Sequence, residues 1–435
     1  MTVLVVGSGG REHALATALA RDPAVDVVHT APGNPGTVAL AAERFGVAAG
    51  GPVQQRLAAL NPTDGAAVVA LAQELQANLV VIGPEAPLVA GVADTVRAAG
   101  LACFGPSAAA ARIEGSKQFA KDIMTAAGVP TARSFYCTDA ASAEAALGAF
   151  GPPYVVKNDG LAAGKGVVVT SDRAAALAHA AACGTVVIEE YLDGPEVSLF
   201  AITDGVTSRP LLPAQDFKRV GDRDSGPNTG GMGAYCPLPW APADLVEQTM
   251  TRVIDPTVAE LAARGTPFVG LLYAGLALTS RGLRVIEFNA RFGDPETQAI
   301  LPLLETGLGT VFNAAANGRL ADLGPLTWRP ETAVTVVVAA QGYPAEPVTG
   351  GMIGEPLPLS DAVHVIHAGT ARNAAGQLVS AGGRVLDVVA KAATLSQARA
   401  LAYEAAGRIA FPQGFYRHDI AEWAVAGLIQ PAGSL

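Results

Sequence analysis

Two lysines, Lys157 and Lys165, bracket the stretch Asn158-Asp159-Gly160-Leu161-Ala162-Ala163-Gly164, and Gly166 follows directly. Glycines that allow close approach, free backbone N–H groups and two ammonium groups are the ingredients of a phosphate-binding loop. It is not a Walker A loop, because its spacing is one residue short and Gly166 stands where Ser or Thr is required. Further on, Val285-Ile286-Glu287-Phe288-Asn289 reads as a strand that places Glu287 and Asn289 on one face and Phe288 on the other. Two oxygen ligands on one face suit Mg²⁺, which takes few protein ligands and completes its shell with phosphates and water. The polar run from Arg291 to Thr297 follows at once.

A third stretch, Glu189-Glu190-Tyr191-Leu192, ends a strand and leads through Asp193-Gly194-Pro195 to Glu196. Backbone groups at such a strand end could bond an adenine edge and Glu196 a ribose, but a solvated strand end fits the residues equally. Near the N-terminus, Gly7-Ser8-Gly9-Gly10-Arg11-Glu12 joins a strand to a helix, where N–H groups can cradle a phosphate. A dinucleotide fingerprint needs glycine where Glu12 stands and an acidic residue where His29-Thr30 stand, which argues against an NAD-binding oxidoreductase and for a smaller anion or a plain tight turn. The histidines carry no signal: His364 and His367, three apart on a strand, cannot share a metal. Cys103, Cys137, Cys183 and Cys236 are too dispersed for a metal or redox pair and read as small buried residues.

Charge narrows the options. The 29 Lys and Arg face 39 Asp and Glu, for a net charge of −10, which argues against nucleic acid as a partner. No apolar run approaches the length of a membrane span and no signal peptide opens the chain, so a reducing cytoplasmic setting is expected. Only six of the basic residues are Lys, and five of them (Lys117, Lys121, Lys157, Lys165 and Lys218) fall in one central stretch. Codon bias explains many arginines; lysine positions that resist replacement by a planar guanidinium would explain the clustering.

The elements that must position these residues form an α/β and α+β multidomain chain. Residues 1–105 alternate β-branched runs with alanine-rich helices, the pattern of a doubly wound parallel sheet. Residues 106–328 open on a helix with Lys117 in its first turn and continue with an antiparallel hairpin around the glycine loop. The segment 218–233, rich in Gly and Pro, is expected to be a polar loop outside the core. Past Pro330 a small α+β unit, 329–435, is expected to begin.

Together these residues resemble the ATP-grasp fold, in which two α+β lobes clamp ATP. More narrowly the chain resembles the phosphoribosylamine–glycine ligases of purine biosynthesis. The matching segments include VLVVGSGGREHALA, KNDGLAAGKGVVV, VVIEEYLDGPEVS, QDFKRVGDRDSGPNTGGMGAY and VIEFNARFGDPETQ, in order over nearly the whole chain. The resemblance implies a central ATP-grasp domain with a mobile lid at about 122–193. It also implies attack of glycine's carboxylate on ATP to give glycyl phosphate, then capture by the amine of 5-phosphoribosylamine. Such chemistry needs positioning and charge dispersal, in keeping with the absence of any nucleophile–base arrangement.

Position by position, the resemblance puts Lys117 and Lys157 on the ATP phosphates, with Gly164, Lys165 and Gly166 as the lid loop. Glu189, Glu190 and Leu192 would frame adenine, and Glu196 the ribose. Glu287 and Asn289 would hold Mg²⁺ or Mn²⁺. Arg291, Asp294 and Lys157 form the expected catalytic set. Gly10, Arg11, Glu85, Asp216 and Asp294 would bind substrate, with Thr370 and Arg384 on its 5′-phosphate. Lys121 is expected at the surface, and the enzyme is expected to be a monomer. Asn158, Phe217 and the short stretch 173–185 depart from the family pattern. The alternatives are a carboxylating or formate-using relative and a non-catalytic nucleotide sensor.

Overall fold

The computed structural model describes residues 1–37, 60–160, 166–354 and 362–430; Gly164 and Lys165 of the expected lid loop lie outside them. The N-terminal strands Thr2–Gly7, Val27–Pro32, Leu79–Ile82 and Ala102–Phe104 form a parallel sheet in the order second, first, third, fourth. Its continuous apolar runs exist because both faces are covered. Leu4, Val6, Val80 and Ile82 pack on one side with Val68, Val92 and Val96, while Val3, Val5, Leu79 and Val81 pack on the other with Leu15 and Leu19. The helix Gly10–Arg21 therefore starts at the carboxyl end of the first strand.

A second unit is an antiparallel sheet ordered Ser134–Cys137, Val186–Glu189, Tyr154–Asn158, Val167–Thr170, backed by the helices Ala140–Phe150 and Arg173–Cys183. Its separate core is small and rich in alanine, with Leu147, Val156, Val186 and Ile188 as its larger members. Little apolar area is buried there, the condition under which a subdomain moves most easily against its neighbours.

The third sheet runs Ser208–Pro210, Glu196–Asp204, Val269–Thr279, Gly282–Asn289, all antiparallel. Its last pair is bulged: Gly275 faces Glu287 and Leu276 faces Val285, so Ile286 is left without a partner. The bulge restores alternation beyond it, and Glu287 and Asn289 share a face.

The fourth sheet joins the last part of the chain to the central region and corrects one expectation. Gln215–Asp216, Gly233–Cys236, Thr332–Ala340, Arg384–Ala392 and Val363–His367 are neighbours in one sheet, with Gly414–Phe415 added to Thr332–Ala340. The chain past Pro330 is thus built onto strands from the central region. The segment 218–233 is not merely a loop. It holds the hairpin Arg219–Gly221/Ser225–Asn228 and leads into the fully buried strand Gly233–Cys236. Gly233 disguised that strand, and it is glycine because a Cβ would press on the Thr335 carbonyl and Ile420. Among the described residues no helix is long and apolar enough to cross a membrane.

Candidate functional site

The bulge in the strand Gly282–Asn289 sets the centre of the site. It frees the Ile286 carbonyl, which accepts a 2.9 Å hydrogen bond from Lys157 Nζ. Lys157 Nζ also lies 2.8 Å from Glu189 Oε2, and Glu189 Oε1 lies 2.8 Å from Lys121 Nζ. Lys121 is therefore buried, not a surface residue; helix periodicity cannot show which distant residues cover it. Burial pulls the Lys157 ammonium down, but Glu189 and Glu287 more than offset it, so its pKa lies above the ordinary value. For Lys121 burial prevails over Glu189 and lowers the pKa. Burial raises Glu189, but the two lysines outweigh it and hold the carboxyl below the ordinary value.

Lys117 begins the helix Lys117–Ala126, capped by Ser116 Oγ. Its N–H donates to Asp159 Oδ1 at 2.6 Å and its Nζ to the Gly160 carbonyl at 3.2 Å. The helix N-terminus and the start of the glycine loop are thus tied together, and helix N-termini favour anions.

Glu190 accepts from Arg133 N at 3.0 Å and Arg133 Nε at 2.9 Å, and pairs with Arg281 at 3.3 Å. Burial opposes its ionisation, but these donors hold its pKa down at about 2. The carboxylates of Glu189 and Glu190 are thus both engaged by basic side chains, and Leu192 follows in the half-buried connection to Glu196. Glu196 pairs with Lys218 Nζ at 2.7 Å, and Lys218 with Asp216 at 3.0 Å. Behind them Tyr273 Oη donates to Glu296 Oε1 at 2.6 Å. Burial and the nearby Asp216 raise the Glu296 pKa.

The first glycine loop closes the other side. Glu12 Oε2 accepts from Gly9 N at 2.7 Å and Oε1 from Arg11 Nε at 2.6 Å. A Cβ on Gly7, Gly9 or Gly83 would collide with the Glu12 side chain, so these glycines make room for a buried carboxylate. Arg11 NH1 donates to the Phe292 carbonyl at 3.1 Å and reaches Glu85 at 4.0 Å. Arg291 pairs with Glu85 at 3.4 Å and with Glu114 at 3.0 Å, and contacts Asn289 Oδ1 at 3.3 Å. Burial would raise Glu85, but Arg291 and Arg11 hold its pKa below the ordinary value, whereas burial prevails at Glu114 and raises it.

Asp294 lies beside Gly9, and its Oδ1 accepts from Gln298 Nε2 at 2.8 Å. The same Nε2 lies 2.9 Å from Asp387 Oδ2, and a side chain on Gly10 would strike Asp387. Arg384 NH1 donates to the carbonyls of Gly230 and Asp294, both at 2.6 Å, and NH2 lies 3.4 Å from Asp294 Oδ2. Arg384 is therefore a clamp between two loops before it meets any phosphate. Thr370 Oγ1 is 3.1 Å from His367 Nδ1, and His367 N donates to His13 Nδ1 at 2.8 Å. The histidines, uninformative in sequence, join the first and last parts of the chain.

Six residues at this site had no assigned role: Glu12, Glu114, Lys121, Gln298, Glu296 and Asp387. Glu12 could have been found as the third position of a helix whose cap is Gly9, and Asp387 as the one acidic residue in the strand Arg384–Ala392, set between Leu386 and Val388. The donor set for a cation fits a hard metal. Glu287 and Asn289 offer two oxygens on one strand face, and no group of three or more His, Cys, Asp or Glu among the described residues could hold an ion unaided. A metal there would depend on phosphate and water for the rest of its shell.

Family models match three consecutive segments: the N domain of phosphoribosylglycinamide synthetase at residues 1–114, its ATP-grasp (A) domain at 115–297 and its C domain at 333–423. The chain is 60% identical over 425 residues to a phosphoribosylamine–glycine ligase of Streptomyces coelicolor, covering 97% of this chain and 99% of that one. It is 55% identical over 438 residues to that of Mycobacterium tuberculosis, covering 99% and 100%. The crystal structure of the Thermotoga maritima phosphoribosylamine–glycine ligase superposes with a TM-score of 0.79 at 33% identity, covering 97% of this chain and all of that one. A biotin carboxylase domain from Hydrogenobacter thermophilus shares the fold alone, at 15% identity and a TM-score of 0.68 over 95% and 91% of the two chains. With three family domains in order and relatives more than half identical end to end, this chain belongs to the phosphoribosylamine–glycine ligase family, whose central domain is an ATP-grasp fold.

Proposed function

We infer that this chain ligates glycine to 5-phosphoribosylamine at the expense of ATP, giving glycinamide ribonucleotide, ADP and phosphate, the second step of de novo purine synthesis. One observation supports this reading above the rest: a full-length relative at 60% identity, a phosphoribosylamine–glycine ligase by name. Glycine's carboxylate attacks the γ-phosphorus of ATP, ADP leaves, and the amine of phosphoribosylamine takes the acyl carbon as phosphate and a proton depart. The chain's part is to place anions and spread charge. Lys117 and Lys157 would lie along the ATP phosphates, with Gly164, Lys165 and Gly166 above them. Leu192 and the backbone around Glu189 and Glu190 would receive adenine, and Glu196 the ribose. Arg291 would meet glycine's carboxylate or the developing phosphate charge. Gly10, Arg11, Glu85, Asp216 and Asp294 would hold the amine substrate, with Thr370 and Arg384 toward its 5′-phosphate.

Glu287 and Asn289 would hold Mg²⁺ or Mn²⁺, which when bound neutralises the triphosphate and orients its terminal group. The reading includes a monomer in the cytoplasm, in keeping with four cysteines that stay free thiols. The test is ADP release with each substrate omitted in turn, alongside labelled glycine. Full turnover only with glycine, phosphoribosylamine and ATP together is expected. No labelled, ATP-dependent product would sink the reading, and ADP release driven by bicarbonate or formate instead would replace it.

A further inference from the structure

Lys121 has no part in the chemistry above, yet it stands where the chain enters and leaves the small subdomain with the alanine-rich core. Its Nζ donates to Thr131 Oγ1 and to the Ala132 carbonyl, both at 2.9 Å, just ahead of the strand Ser134–Cys137. The same Nζ lies 2.8 Å from Glu189, the last residue of the strand Val186–Glu189, which ends that subdomain. Thr131 Oγ1 in turn donates to the Val285 carbonyl at 2.7 Å, next to the bulged Ile286 whose carbonyl holds Lys157. One ammonium thus joins both connections of the subdomain to the strand that carries Glu287 and Asn289.

The charges make this more than a structural tie. Glu189 is 3% exposed and is shared by two ammonium groups at equal distance. If Lys157 is to spend its charge on a phosphate, its hold on Glu189 must weaken. A buried carboxylate stripped of its counter-charge is strongly unfavourable. With Lys121 in place Glu189 keeps a full partner. Without Lys121, Lys157 would be the only close counter-charge left to Glu189 among the described residues, and every phosphate contact made by Lys157 would compete with that pair.

We propose that Lys121 is the resident counter-ion of Glu189, a positioning residue that leaves Lys157 free to engage the ATP phosphates. The proposal rests on the reading of Lys157 as an ATP contact. A purely structural Lys121 would lower stability without making ATP affinity depend on the charge of Glu189.

The experiment is calorimetric ATP binding, with melting temperatures, for the full-length wild type, Lys121→Met, Glu189→Gln, the double variant and Lys157→Met. Lys121→Met is expected to weaken ATP binding at least about tenfold. Removing the stranded carboxylate should reverse this, so that the double variant binds ATP within about twofold of Glu189→Gln alone. Unchanged affinity in Lys121→Met, or a double variant weaker than Lys121→Met, overturns the proposal. If Lys121→Met does not fold, the double variant decides: affinity close to that of Glu189→Gln supports the proposal and a clear further loss refutes it. A Lys157→Met variant that binds ATP like the wild type would overturn the underlying placement of Lys157 instead.

Discussion

Asp387 offers a sharp electrostatic test. It is wholly buried on the strand Arg384–Ala392, touches Gln298, and shares that amide with the ionised Asp294. Burial first, and then the charge of Asp294, push its pKa from 3.8 up to about 7. The unfolded chain therefore releases this proton well before the folded one does. From pH 4 to 7 the native state holds one proton more than the unfolded state, so stability falls as pH rises. The full displacement corresponds to on the order of 4 kcal/mol, of which on the order of 2.5 kcal/mol falls between pH 5 and 7. Asp387→Asn keeps the shape and an acceptor for Gln298 but cannot ionise. Any fixed packing or hydrogen-bonding loss in the variant is the same at both pH values and cancels from the comparison. The assay is urea unfolding of wild type and variant at pH 5 and pH 7, with the variant gaining on the wild type by that amount at the higher pH. A stability difference that does not change with pH would refute the reasoning and return Asp387 to an ordinary aspartate.

Three further outcomes are expected. Glu287→Ala should abolish turnover while circular dichroism and the melting temperature stay as in the wild type; near-normal activity would remove the metal assignment. Arg384→Ala should raise the KM for phosphoribosylamine about tenfold or more, because it frees Asp294 and the Gly230 loop together; steady-state kinetics showing an effect confined to ATP would contradict this. Arg417 is 1% exposed at its side chain, forks onto Asp419 at 2.7 and 2.8 Å, and lies 5.0 Å over the Phe217 ring beside Lys218. Arg417→Met should cost about 3 kcal/mol in thermal or urea unfolding and lower kcat as the hairpin beyond Lys218 loosens; an unchanged kcat would separate that hairpin from the chemistry.

Much of the architecture was legible before any coordinates. The parallel N-terminal sheet follows from β-branched runs such as Val3–Val6 buried on both faces, and the hairpin around the glycine loop from two short strands with too little chain between them for a crossover. Alternation alone put Glu287 and Asn289 on a common face. Phe217, a departure from the family pattern, turns out to be the ring beneath Arg417, a partner 200 residues away that no local pattern could indicate.

What residue types and spacing determined by themselves was the inventory: anion-binding loops, two oxygens for a hard cation, and a cluster of lysines in the middle of an arginine-rich chain. Tertiary structure decided which of those charges face one another. Lys121 reads as a helix surface position until the Ala132 carbonyl and the Glu189 carboxylate meet its ammonium, and Gly233 reads as a loop until Thr335 pairs beside it. The physical reason is range. Periodicity and turn chemistry act over a few residues, whereas a buried charge is matched by whatever the fold brings within about 3 Å, and here that partner lies tens to hundreds of residues away along the chain.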